Sequence, residues 1–157
     1  MSPAVADDAA GARALTALAA PAMWAAVTAL CEATYPREAC GWIDDAGVRP
    51  AAPGDRERFA FTDDDLLALA TASRGPRPPR LLFHAHPDGD VALSDADRAA
   101  LAPGGVVLHP LPHLIVAVAG GRAHAAAVHV LAPAPAVLAR YRRASTTAAA
   151  GAEWRPW

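Results

Sequence analysis

Apolar positions recur in this chain either at helical spacing or in short unbroken runs, and each rhythm predicts an element. Met23, Val27, Leu30, Cys31 and Thr34 follow Pro21 at helical spacing. Pro21 suits a first helical position, and Pro36 disfavours helix before it, so a helix is expected from Pro21 to near Tyr35. The run ACGWI (39–43) reads as a buried strand, followed by the turn DDAG and a second strand near Val48. Arg49 to Arg58 is polar and irregular. Thr62 caps an expected helix with Asp63, Asp64 and Asp65 in its first turn; such an acidic start ordinarily faces water. RGPRPP (74–79) is a loop, and RLLFHAH (80–86) is a strand running into the turn P-D-G. A short helix is expected at Ser94, then a core hairpin from HLIVAVA (113–119), GG and RAHAAAVHVL (122–131).

The two ends are harder to place. RALTALA (13–19) suggests a short edge strand, and APAVLARYRRAS (134–145) a last helix. Interleaved strands and helices point to an α/β class, an α+β sandwich with a mixed β-sheet flanked by helices. The expected organisation is a flexible tail over 1–12, a single domain over 13–143 and a C-terminal tail over 144–157, without internal repeat.

Composition narrows the function classes. With 157 residues and 54% hydrophobic content, one domain with a real core is affordable. The net charge of −2 includes no basic block, so a nucleic-acid groove has no support. Every basic residue is arginine, and lysine, asparagine and glutamine are absent, which matches a GC-rich, bacterial composition. The stretch Ala14 to Cys31 is uncharged, but it is mostly alanine, holds Pro21, and follows Asp7 and Asp8 instead of a cationic head. It makes a poor signal peptide and a weak membrane span, and a soluble helix fits better. Cys31 and Cys40 make no disulfide framework; both are expected to be buried, reduced thiols of a cytoplasmic protein.

Candidate chemistry concentrates in HAHPDGDVALSDAD (84–97). Side chains at i and i+2 of a strand leave the same face, about 6.6 Å apart along the chain, so His84 and His86 aim one way and Ala85 the other. A helix starting at Ser94 would fold Asp97 back over the strand's exit. Two imidazoles and a carboxylate suit Zn²⁺ at about 2.0–2.2 Å, leaving a fourth position open, as catalytic sites do. Each part has a plainer reading: S-x-x-D also describes a helix capping box, and H-x-H alone is a weak signal. A calcium loop counted from Asp88 is excluded by Leu93 where glycine is needed.

His84, His86, seven residues, Ser94, two residues and Asp97 form the signature of the JAMM/MPN+ metalloprotease family, and the chain resembles it there. That family also places a glutamate upstream in a P-x-E-x-C-G context, matched by Pro36, Glu38, Cys40 and Gly41. LIVAV (114–118) is similar to a core strand of the family, and the likeness spans roughly residues 13 to 131. It implies a cytidine-deaminase-like fold. It also implies one Zn²⁺ held by His84, His86 and Asp97, with Glu38 as general base and Ser94 donating to an oxyanion. The implied activity is a zinc protease or isopeptidase cleaving after the C-terminal Gly-Gly of a ubiquitin-like or sulfur-carrier protein. Two features depart from the common pattern: Ala85 stands where serine is frequent, and Leu93 where a proline often precedes the serine. HPDGD (86–90) also resembles the RadC-like branch of the fold, and a non-catalytic MPN-type scaffold is a further alternative, though one that typically loses metal ligands. The terminal WRPW offers Trp154 and Trp157 for docking on a partner or on the protein's own groove, and His109, His113, His124 and His129 read as core or surface histidines.

Overall fold

A computed structural model describes residues 3–132, 134–144 and 153–157. Among the described residues four α-helices and seven strands follow in chain order. They are α1 (Pro3–Ala17), α2 (Pro21–Thr34), β1 (Cys40–Asp44), β2 (Gly47–Pro50), α3 (Asp63–Ser73), β3 (Leu81–Pro87), α4 (Asp95–Leu101), β4 (His113–Ala119), β5 (Arg122–Val130), β6 (Ala136–Arg143) and β7 (Trp154–Pro156). The strands make one mixed sheet in the order β2-β1-β3-β4-β5-β6-β7. Every neighbouring pair is antiparallel except β3 and β4, which run parallel. A parallel pair needs a crossover, and the crossover here carries α4. That single topological choice brings the start of α4 back to the end of β3.

The period-2 alternation of β3 sorts its residues between two cores. Leu81, Phe83 and Ala85 enter a core with Met23, Trp24, Val27 and Cys31 of α2 and Leu114, Val116 and Val118 of β4. Leu82 turns to the opposite face with Cys40, Trp42, Phe59, Leu69 and Leu101. His84 and His86 share that second face by parity, and Ala85 is fully buried in the first, as their alternation requires. β1 can lie close to β2 because position 41 is glycine. A Cβ there would stand 2.1 Å from the carbonyl oxygen of Arg49.

Both ends differ from the sequence expectation. Instead of a loose tail over 1–12 and an edge strand over 13–19, α1 occupies Pro3–Ala17, with Ala14 and Leu18 buried four residues apart. The segment expected as a last helix is strand β6, in which Ala139, Tyr141 and Arg143 are half-buried at every second position. Pairing against β5 supplies its backbone partners and overrides the helix propensity of alanine, leucine and arginine. The C-terminal tail is also partly structured, since β7 extends the sheet beyond β6. Trp154 stacks on Trp24 at 4.6 Å and donates its indole N–H to Thr28 Oγ1 at 3.0 Å. The docking considered for Trp154 is therefore docking onto its own domain, while Trp157 lies exposed beneath the Arg142 guanidinium at 3.5 Å. No single helix among the described residues is long and apolar enough to cross a membrane. Cys31 and Cys40 are free and buried.

Candidate metal centre

Three side chains that could ligate a metal meet where β3 ends and α4 begins. His84 Nε2 and His86 Nε2 lie 2.9 Å apart, and Asp97 places Oδ1 3.0 Å from the first and Oδ2 3.0 Å from the second. Asp97 is 2% exposed and His84 fully buried. A capping box aims the carboxylate: Ser94 Oγ accepts from the Asp97 N–H at 3.1 Å, and Asp97 Oδ2 accepts from the Ser94 N–H at 2.8 Å. The capping reading of S-x-x-D therefore holds, and the same box leaves the Asp97 carboxylate beside both imidazoles.

The donor set fits a cation. His86 Nδ1 faces the Asp90 carbonyl at 2.7 Å, and a carbonyl can only accept, so Nδ1 carries the proton. In the neutral ring Nε2 is then a bare lone pair, directed at a second imidazole nitrogen and a carboxylate. Electron-rich atoms this close repel unless positive charge lies among them. Four tetrahedral ligands at about 2.0–2.1 Å stand about 3.3 Å from one another, close to the 2.9 Å between the two imidazole nitrogens and the 3.0 Å from each to its nearer Asp97 oxygen. His84, His86 and Asp97 can together hold a metal ion.

Titration properties agree with that charge distribution. Burial pushes the His84 pKa down to about 4 despite the neighbouring Asp97 carboxylate, so this ring is neutral near pH 7. Burial works the same way on His86, but at the cleft mouth the hydrogen bond and charge of Asp97 prevail and raise it. Burial alone would raise Asp97, yet hydrogen bonds from His84 and His86 overcome it and hold the carboxylate far below its ordinary range.

Glu38 reaches this site through the sheet register. Cys40 pairs with His84 and Gly41 with Phe83, and the Ala85 N–H donates to the Ala39 carbonyl at 2.9 Å. Continuing that register sets Glu38 opposite His86, which is the physical content of the E-x-C-G spacing. Its backbone is clamped by two bonds, from its N–H to the Asp55 carbonyl and from the Gly54 N–H to its own carbonyl, each 2.8 Å. The side chain is 3% exposed, and Oε2 has no hydrogen-bond partner. Burial, opposed by His86 and reinforced by Asp97 and Asp55, pushes its pKa up to about 7. Glu38, His86 and Ser94 line one open cleft of about 500 Å³, together with Arg56, Gly89 and Leu93. Its rim is tied down at Asp88, which accepts from Tyr35 and Arg56 at 2.7 Å each and from the Gly120 N–H at 2.9 Å. All five expected site residues thus gather at one place.

Two neighbours went unread in the sequence. Phe59 comes from the stretch after the irregular segment and stacks on the His84 ring at 4.2 Å, closing its inner side to water. His113, expected as a core or surface histidine, is buried with its Nε2 2.5 Å from His84 Nδ1. The signal for Phe59 was the apolar pair in F-A-F (59–61), whereas His113 is placed only by the parallel pairing of β3 and β4.

No family model matches the chain, and no curated protein matches it. Among solved structures the fold is similar to the solution structure of protein DSY2949 from Desulfitobacterium hafniense. The TM-score is 0.59 at 17% identity, covering 74% of this chain and 86% of that one. At that identity the likeness speaks for the fold alone.

Proposed function

We propose that this chain is a zinc-dependent metalloprotease of the JAMM/MPN+ type, built on that family's cytidine-deaminase-like fold. Its substrate would be the amide bond after the C-terminal Gly-Gly of a ubiquitin-like or sulfur-carrier protein. The observation that carries the reading is the arrival of a buried, partnerless Glu38 carboxylate at the same cleft as the His84–His86–Asp97 triangle. A capping box alone needs no such glutamate, and a raised pKa beside convergent ligands is what a catalytic acid or base calls for.

His84, His86 and Asp97 would hold one Zn²⁺ per chain, which when bound supplies Lewis acidity that acidifies water towards neutrality and polarises a carbonyl. Glu38 would take a proton from water and deliver it to a departing amine, and the burial that raises its pKa above the ordinary carboxylate range favours such exchange. Ser94 keeps its hydroxyl hydrogen free while its oxygen accepts from the helix, so it can donate to a developing oxyanion at the cleft mouth. A Gly-Gly end, free of side chains, would lie extended in the cleft and bring its amide close to the ligands. Two free, buried thiols agree with a cytoplasmic setting.

The test is to incubate zinc-loaded protein with Gly-Gly-ended carriers extended by a peptide and to measure intact masses. Wild type is expected to release the extension, and Glu38→Gln to keep its zinc and release nothing. Fully loaded wild type that leaves every carrier intact would sink the protease reading.

A further inference from the structure

We propose that His113 is a positioning residue for the metal centre: its Nε2 accepts a hydrogen bond from the Nδ1–H of His84, holding the proton there and leaving the Nε2 lone pair of His84 for the ion. The inference rests on the metal site proposed above and concerns how one of its ligands is prepared.

His84 can ligate through Nε2 only if its proton sits on Nδ1, and that proton needs an acceptor because the ring is wholly buried. The atom 2.5 Å from Nδ1 is His113 Nε2, delivered by the register that pairs Leu82 with His113 and His84 with Ile115 on the same face of the sheet. Phe59 stacks on His84 and lies 5.6 Å from the His113 ring, closing this side of the pair. Metal ligands of this kind usually lean on a carboxylate, a backbone carbonyl or water. Here the support is a second imidazole, itself buried, and its far nitrogen Nδ1 has no hydrogen-bond partner.

That choice of support has a consequence. Without metal, His84 Nε2–H can donate to Asp97 Oδ1, and His113 Nε2–H to His84 Nδ1. With metal both rings would exchange tautomer: the ion would displace the His84 Nε2 proton to solvent, the His113 Nε2 proton would pass to His84 Nδ1, and His113 would take one proton back from solvent at Nδ1. Each imidazole keeps one proton throughout, so no charge is added to the interior. A leucine at 113 would leave His84 no acceptor, whereas a glutamine could offer its side-chain carbonyl.

The experiment compares wild type, His113→Leu and His113→Gln by zinc competition against a chelator, with nitrogen-15 spectra of the histidine rings. The expected result is a roughly 10–100-fold weaker zinc affinity in His113→Leu, at one site per chain. Most of the loss should return in His113→Gln. In zinc-loaded wild type the His84 and His113 rings should both be protonated at Nδ1, a readout that needs no substitution. Wild-type affinity in the leucine variant, or an unprotonated His84 Nδ1 in the loaded protein, overturns this inference alone. Wild type that takes up no zinc overturns the metal site and this inference with it.

Discussion

Helices α3 and α4 begin with the same device and serve different ends. Thr62 and Ser94 each accept from the backbone N–H three residues on, and Asp65 and Asp97 each return a bond to the N–H of the cap. Asp65 stays half-buried at the surface, where its carboxylate also accepts from the Ala52 N–H at 3.3 Å. Asp97 is buried against two imidazoles. The local chemistry of T-D-D-D and S-D-A-D is nearly the same. What separates them is the surface opposite: the crossover between parallel strands lays the start of α4 on the two histidines of β3. The fold, not the local sequence, sets the Asp97 carboxylate beside two imidazoles, where the three can together hold a metal ion.

The largest expected effect comes from breaking one box and not the other. Asp97→Ala should lose bound zinc and all hydrolysis, whereas Asp65→Ala should keep both; metal counting per chain and the mass assay check this. Equal zinc in the two variants would erase the distinction drawn here. Next in size is Glu38→Gln, which should retain zinc and lower turnover by roughly 10²–10⁴, the range of a general base.

The serine and threonine caps sharpen the comparison further. Ser94→Ala and Thr62→Ala should each cost about 1 kcal/mol in thermal unfolding, as lost N-caps do. Only Ser94→Ala should also reduce turnover, by roughly 10²–10³, as the loss of an oxyanion donor does. A Thr62→Ala variant as impaired in turnover as Ser94→Ala would indicate a shared stability effect.

The smallest effect is graded with pH. The pKa of Glu38 is raised from 4.5 to about 7, so the folded chain holds a proton there that the unfolded chain has released. Its contribution to stability is therefore present in acid and fades as pH rises through 7. Turnover needs the ionised form and runs the other way, rising through an acidic limb at or below pH 7, because a bound cation draws the limb lower. Zinc uptake should also weaken as the medium turns acid, since the ion must displace the raised proton of His86. A rate profile that stays flat from pH 7 down to pH 5 would contradict Glu38 as the base.

Much of the site was legible because its spacings are rules of local geometry. H-x-H in a strand fixes one face, S-x-x-D fixes a helix start, and E-x-C-G fits a strand whose register meets the first histidine. The helix after Pro21 and the hairpin of β4 and β5 followed from equally local signals. The ends were less legible. Among the described side chains of α1 the buried positions are Gly11 and Ala14, too small to mark a helical stripe, and L-T-A-L-A mimics alternation. In β6 good helix formers alternate between the half-buried Tyr141 and Arg143 and the exposed Arg140 and Arg142, a pattern masked by composition. His113 carries no local mark of its role, because its neighbour on β3 lies 29 residues away in sequence.

The account stands most directly on the metal content of the intact protein. Purified wild type given zinc and then freed of excess should hold one ion per chain by elemental analysis, while His84→Ala, His86→Ala and Asp97→Ala should hold none. Wild type without stoichiometric zinc, or any of the three variants with a full complement, would contradict it.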